Sequence, residues 1–250
     1  MNMKLNPFLS YKKADIVILD GRVGKDITDF FERMGIVVIK TRKHEGLYEA
    51  VSYHPDMILY PIDSNTVIVS PREYHYYKEI LSPYKIKLLK GERELNRNYP
   101  DNIAYNVARV GNYCLHNFRY TDEKVKYYME QLGMELINIK QGYSKCSISI
   151  ISNKSIITSD KGIEKALKKT GIKILTIEPG HIKLPGLEYG FIGGSTGSVD
   201  NKYILFSGDY SSHPDKEKID DFLNKNGKIP KILSNKKIID IGSIIPLICI

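Results

Sequence analysis

Tryptophan is absent from the 250 residues, and cysteine occurs only three times, at Cys114, Cys146 and Cys249. Three thiols in a chain this long make no disulfide framework, which excludes the small secreted scaffolds that depend on one. Long hydrophobic runs are missing too. The opening stretch MNMKLNPFLSYKK lacks the apolar core of a signal peptide. The apolar stretch 238–250 is too short to cross a bilayer. A cytoplasmic protein with no membrane partner is therefore expected. No basic run accompanies the net charge of +8; lysine pairs are scattered, at Lys12, Lys168 and Lys236. That spacing reads as a solvated surface, so nucleic acid is not expected as a partner. Metal-ligand spacings of the CxxC or HExxH kind are absent, and no glycine-rich loop runs straight into a helix as a phosphate cradle does. Neither a metal nor a cofactor is expected on those grounds.

What is present is a repeat. From Cys146 the chain reads CSISIIS, NK, SIITS, DKGIEKALKKTG, IKILTIE. Apolar alternation gives strand, strand and strand around one helical stretch. Asp160 stands where a helix N-cap belongs, and Gly171 where the helix stops. The same order recurs from Met57, Ala104 and Ser198. An incomplete copy, ADIVILDG, RVGKDITDFFERMG, IVVIKT, lacks the first strand of its hairpin, and the segment IIDIGSIIPL near the other end is one strand without a unit. Joining 239–247 to 15–19 completes a fifth ββαβ unit and closes a ring. Stacked units bury the sheet faces that no unit can bury alone.

This pattern resembles the pentein family, the fold of arginine deiminases, amidinotransferases and dimethylarginine hydrolases. Within it, EPGHIKLPGLEYGFIGGSTG looks like the signature of a bacterial branch. The resemblance implies an α/β fold, a five-bladed pseudosymmetric propeller of ββαβ units around a central channel, formed by residues 1–250 as one domain. It also implies a small-molecule ligand of guanidino or amidino type, bound in a polar central pocket and hydrolysed or used as a group donor. The alternative is a non-catalytic pentein serving as a binding or scaffold protein, similar to translation initiation factor 6. Catalytic penteins take a histidine from the third blade's lead-in, where this chain has Tyr143, Ser144, Lys145, Cys146 and Ser147, and a cysteine from the last, where it has Gly242 and Ser243. The family's catalytic pair is thus not found at matching positions, and the resemblance does not decide whether the protein is an enzyme.

In such a ring the segments leading into the first strands converge on the channel. His54, Asp56, Asn102, Asn106, Cys146 and Asp240 are the polar residues they carry. A cysteine with a neighbouring base becomes a nucleophile, so Cys146 with His54 or His181 is the candidate catalytic pair. Asp56 and Asp240 suit a planar cation. Each residue also has an ordinary reading: Asp56 as the cap of a turn after Pro55, Cys146 as a small buried hydrophobe. The glycine-rich stretch 178–198 crosses between two blades. There His181 and Glu188 hold acid–base capacity, Gly193, Gly194 and Gly197 would let backbone N–H groups meet a ligand, and Gly193, Gly194 and Ser195 are the ligand-binding candidates. The competing reading of that stretch is a tight connection with a packed histidine.

Overall fold

Five three-stranded sheets of identical internal order hold the strands of the protein, which is described over residues 5–249 in a computed structural model. In each sheet the inner strand runs antiparallel to the middle one, and the middle strand pairs in parallel with the outer one after a helical crossover. The second unit comprises Leu59–Pro61, Thr66–Val69 and Lys87–Lys90. Ala108–Val110, Tyr113–His116 and Glu135–Asn138 form the third. Ile148–Ser152, Ser155–Thr158 and Lys173–Thr176 form the fourth, and Thr196–Gly197, Tyr203–Phe206 and Ile229–Ile232 the fifth. The first unit is composite. Ile245–Leu247 supplies the inner strand to Ile16–Leu19, pairing Ile16 with Leu247, Val17 with Pro246 and Ile18 with Ile245. The five ββαβ units expected of the sequence are there.

The helices repeat more strictly than the strands. Each buries a pair four residues apart, one helical turn on one face: Ile27/Phe31, Tyr77/Leu81, Val125/Met129, Ile163/Leu167 and Ile219/Leu223. Burying one such side chain contributes about 1.5–3 kcal/mol. Four of the helices are followed by a glycine at positive φ, Gly35, Gly133, Gly171 and Gly227, and Lys85 takes that conformation in the second unit. Asp160 caps its helix by accepting from Gly162 N and Ile163 N. The outer strands are sheet edges carrying lysine, as at Lys40, Lys87, Lys90 and Lys173, which blocks edge-to-edge pairing and accounts for part of the basic charge. No helix among the described residues is long and apolar enough to cross a membrane.

Two inner strands begin later than the alternation suggests. HPDM and YSKCS are short helical turns, Pro55–Ile58 and Ser144–Ser147, ahead of the strands. Pro55 favours this as the first helical residue, its missing N–H being unneeded there, and Ser144 Oγ donates to Gln141 O at 2.7 Å. The helix of the fifth unit, Lys216–Lys225, has Asp215 at its N-cap.

A buried histidine makes the fold sensitive to acid. Nothing of His116 is exposed; its Nε2 lies 2.9 Å from Gly142 O and its Nδ1 2.6 Å from Thr121 Oγ1. A neutral ring donating from Nε2 satisfies both contacts. Burial pushes its pKa down from the usual 6.5 to about 4. The unfolded chain takes up this proton near pH 6.5 and the folded chain only near 4, so stability falls as pH drops between those values and levels off below. At about 1.4 kcal/mol per pKa unit the loss is roughly 3 kcal/mol. Urea midpoints measured from pH 7 to pH 4 should decline, and His116→Asn should flatten that decline; an unchanged slope would refute the assignment.

Candidate active site

The five lead-ins meet in a circle of hydrogen bonds. Asp56 N donates to Gly242 O at 3.2 Å, and Asn106 Nδ2 to Asp56 O at 3.1 Å. Lys145 N donates to Asn106 O at 3.2 Å, Gly194 N to Cys146 O at 2.8 Å, and Ser243 N to Gly194 O at 2.8 Å. Each unit thereby presents a residue to the centre. Ser243 reaches its place with φ at 76°, in the left-handed region, which costs a non-glycine residue on the order of 1 kcal/mol. At Gly242 (φ 64°) a Cβ would overlap His54, so glycine is required there.

Within the circle, Asp56 is the hub. Cys146 Sγ lies 3.1 and 3.2 Å from its two carboxylate oxygens, and Ser243 Oγ donates to Oδ2 at 2.5 Å. Lys145 Nζ donates to Ser243 Oγ at 2.9 Å and to Gly193 O at 3.1 Å. Asn106 Nδ2 donates to Cys146 Sγ at 3.1 Å, while its Oδ1 accepts from Lys145 N and Cys146 N. His54 stands between two acids, Nε2 at 3.8 Å from Asp20 Oδ2 and Nδ1 at 3.7 Å from Asp240 Oδ1. Asp240 is held by N–H groups of Phe191 and Gly242 at 2.9 Å.

All these groups are buried, and burial shifts the ionisation of Cys146, Lys145 and Asp240. Burial pushes the Cys146 thiol well above its ordinary range, reinforced by Asp56 and Asp240. Burial also lowers Lys145, against the pull of Asp56, Cys146 and Asp240. The Asp240 carboxyl is raised by burial, opposed by His54 and helped by Asp56. Two carboxylates, Asp20 and Asp240, thus flank the His54 imidazole, and a third, Asp56, meets the Cys146 thiol.

A cavity of about 240 Å3 opens onto Cys146, His54 and Asp240. Its walls include Tyr48, Tyr143, Tyr189 and Phe191, and Glu188 stands exposed at the rim. A second cavity, of about 260 Å3, lies beside Asp20 and Arg22 and shares Asp240, but no thiol or imidazole lines it.

Residues 18–245 match the Family of unknown function (DUF6873). The chain belongs to that family. A search of curated proteins gave no match. Among solved structures, SxtG, an amidinotransferase from Microseira wollei in the saxitoxin biosynthetic pathway, is 12% identical with a TM-score of 0.60, over 92% of this chain and 91% of that one. DDAH from Pseudomonas aeruginosa, a cysteine-to-serine mutant complexed with citrulline, gives 10% and 0.57, over 89% and 92%. C. jejuni agmatine deiminase gives 11% and 0.57, over 92% and 90%. At such identities the likeness is one of fold, and the fold is that of the pentein guanidine-modifying enzymes.

In this DUF6873 chain the fold brings together Cys146, His54, Asp56, Asn106 and Asp240, with Glu188 at the rim. Asn102 stands one step back, donating to Tyr143 Oη at 3.0 Å and so fixing a cavity wall. His181 is not with them. Its ring packs 5.0 Å from His213, ahead of the helix Lys216–Lys225, because the stretch 178–198 reaches the cavity only from Leu184 onward. Gly194 and Ser195 spend their N–H groups inside the protein. Gly194 N is used by Cys146 O, and Ser195 N and Oγ both turn back to Ile192 O. A Cβ at Gly193 would overlap Lys145 O and Ile148 O, and one at Gly194 would overlap the Asp240 carboxylate. These glycines admit the protein's own groups. Lys145, Ser243 and Asp20 went unselected in the sequence, although a lysine inside YSKCS and an aspartate ending the apolar run VILD were both visible.

Proposed function

We propose that the protein binds a small guanidino- or amidino-type cation above Cys146 and cleaves it or transfers its amidino group. The observation that carries this reading is a cavity with aromatic walls that holds both the buried Asp240 carboxylate and the Cys146 thiol, the thiol itself resting on buried Asp56. A planar, weakly hydrated cation stacks on aromatic faces and bonds to carboxylates in two directions. The solved neighbours named above as an amidinotransferase and an agmatine deiminase support the ligand class. In the reaction, sulfur would bond to the guanidino carbon as its proton passes to Asp56, which already accepts from the thiol. The amine would depart with that proton, and water or a second amine would release the amidino group from sulfur. Binding without turnover is the second reading, favoured by Ser243 and Lys145 standing at the lead-ins where catalytic penteins carry cysteine and histidine.

Calorimetric titration with agmatine, arginine and N-methylated arginines tests the proposal. At least one should bind with a dissociation constant below about 1 mM, and Asp240→Asn should weaken it about tenfold or more, as expected for loss of a charge-assisted contact. Mass spectrometry should then show loss of ammonia or amine with the native chain and none with Cys146→Ser. If no guanidinium or amidinium compound binds, the reading fails; if binding occurs without product, the second reading stands.

A further inference from the structure

His54, Asp56 and Cys146 are separated in sequence by up to 92 positions, so no ligand-spacing motif reveals them together. Folding puts one donor atom from each within 4.8 Å of the other two. We propose that these three side chains bind a thiophilic divalent cation, zinc being the ion that fits. Imidazole nitrogen, carboxylate oxygen and thiolate sulfur are the donor set zinc takes, at about 2.0–2.3 Å. One carboxylate and one thiolate cancel the charge of the dication, which matters where burial makes net charge costly.

The surroundings support each donor separately. Nothing of the His54 side chain is free for water, yet neither ring nitrogen has a hydrogen-bond partner. Whichever nitrogen takes the metal, the other faces a carboxylate, Asp20 from Nε2 or Asp240 from Nδ1. Such a carboxylate behind a ligating imidazole fixes its orientation and raises its basicity. Ser243 holds Asp56 in the same way, and Asn106 donates to the sulfur. The cavity borders both His54 and Cys146, giving the ion a way in and leaving a coordination position toward solvent. On binding, the S–H proton of Cys146 leaves to the buffer as sulfur bonds to the metal, so metal uptake releases one proton. This inference does not depend on the guanidino reading, although both occupants would seek the same carboxylate charge and therefore exclude one another.

The test uses the full chain, stripped with a chelator and free of any organic ligand. Titration with Co2+ should raise a thiolate-to-cobalt charge-transfer band in the near ultraviolet that saturates at one equivalent, and Zn2+ should bleach it. Cys146→Ser should lose the band, His54→Gln should weaken binding about tenfold or more, and Cys249→Ser should keep it. Should a variant fail to fold, the native chain still decides: Zn2+ should protect Cys146 from iodoacetamide, read on its peptide by mass spectrometry. No charge-transfer band, a band surviving Cys146→Ser, or alkylation of Cys146 unaffected by Zn2+ would each overturn the proposal. Failure of every guanidino compound to bind would leave these results untouched.

Discussion

Lys145→Met should lower the unfolding free energy by about 3–5 kcal/mol, the usual cost of deleting one partner from a buried charge network. Only 4% of Lys145 is exposed, and its ammonium reaches Asp56 through one hydroxyl, that of Ser243. Without it, the buried Asp56 and Asp240 carboxylates are left in a medium that screens them poorly. Methionine keeps the length and apolar stem, so packing changes little and the loss reports on charge. Urea denaturation at pH 7 measures it. A change within about 1 kcal/mol would mean that the Lys145 ammonium gives this network no net stabilisation.

Gly194→Val is the second large effect. The added side chain would run into the Asp240 carboxylate, while the Gly194 N–H is engaged by Cys146 O and its carbonyl by Ile241 N and Ser243 N. The backbone cannot retreat, so the carboxylate must. Overpacking of this kind costs about 1–3 kcal/mol, and moving Asp240 should abolish cation binding outright. Thermal melting and titration with agmatine, run on the same sample, separate the two consequences. A variant that melts early but binds normally would show that Asp240 is not a ligand contact.

The fold was legible because its code is local and repeated. The Gly171 stop and the alternation around it recur with little change, the Asp160 cap recurs at Asp122, and the orphan strand at 239–247 matched the gap at 15–19. The site was only half legible. Asp56, Asn106, Cys146 and Asp240 were found because any ring brings its lead-ins together. Lys145 was passed over because a lysine beside a strand ordinarily turns to solvent, and no local pattern says that this one has Ser243 and Gly193 O waiting across the channel. His181 misled for the opposite reason. It lies in the stretch that does reach the pocket, but its partner, His213, belongs to a segment 32 residues further on, and sequence gives no sign of that pairing. Gly193 and Gly194 looked like room for a ligand; the room is filled by Lys145 O and Asp240.

The circle of lead-ins separates two kinds of information. What makes each unit fold lies at its periphery, in a buried pair one turn apart and a left-handed stop after the helix. What makes chemistry lies at its inner end, where the five units carry aspartate, asparagine, lysine with cysteine, glycine, and serine on one shared backbone plan. Exchanging an inner residue therefore changes the stability of the ring but leaves the helix and strand pattern of its unit in place. A repeated scaffold of this kind can change its inner surface one blade at a time, and relatives with the same ring and unrelated inner residues are what such a division of labour would leave behind.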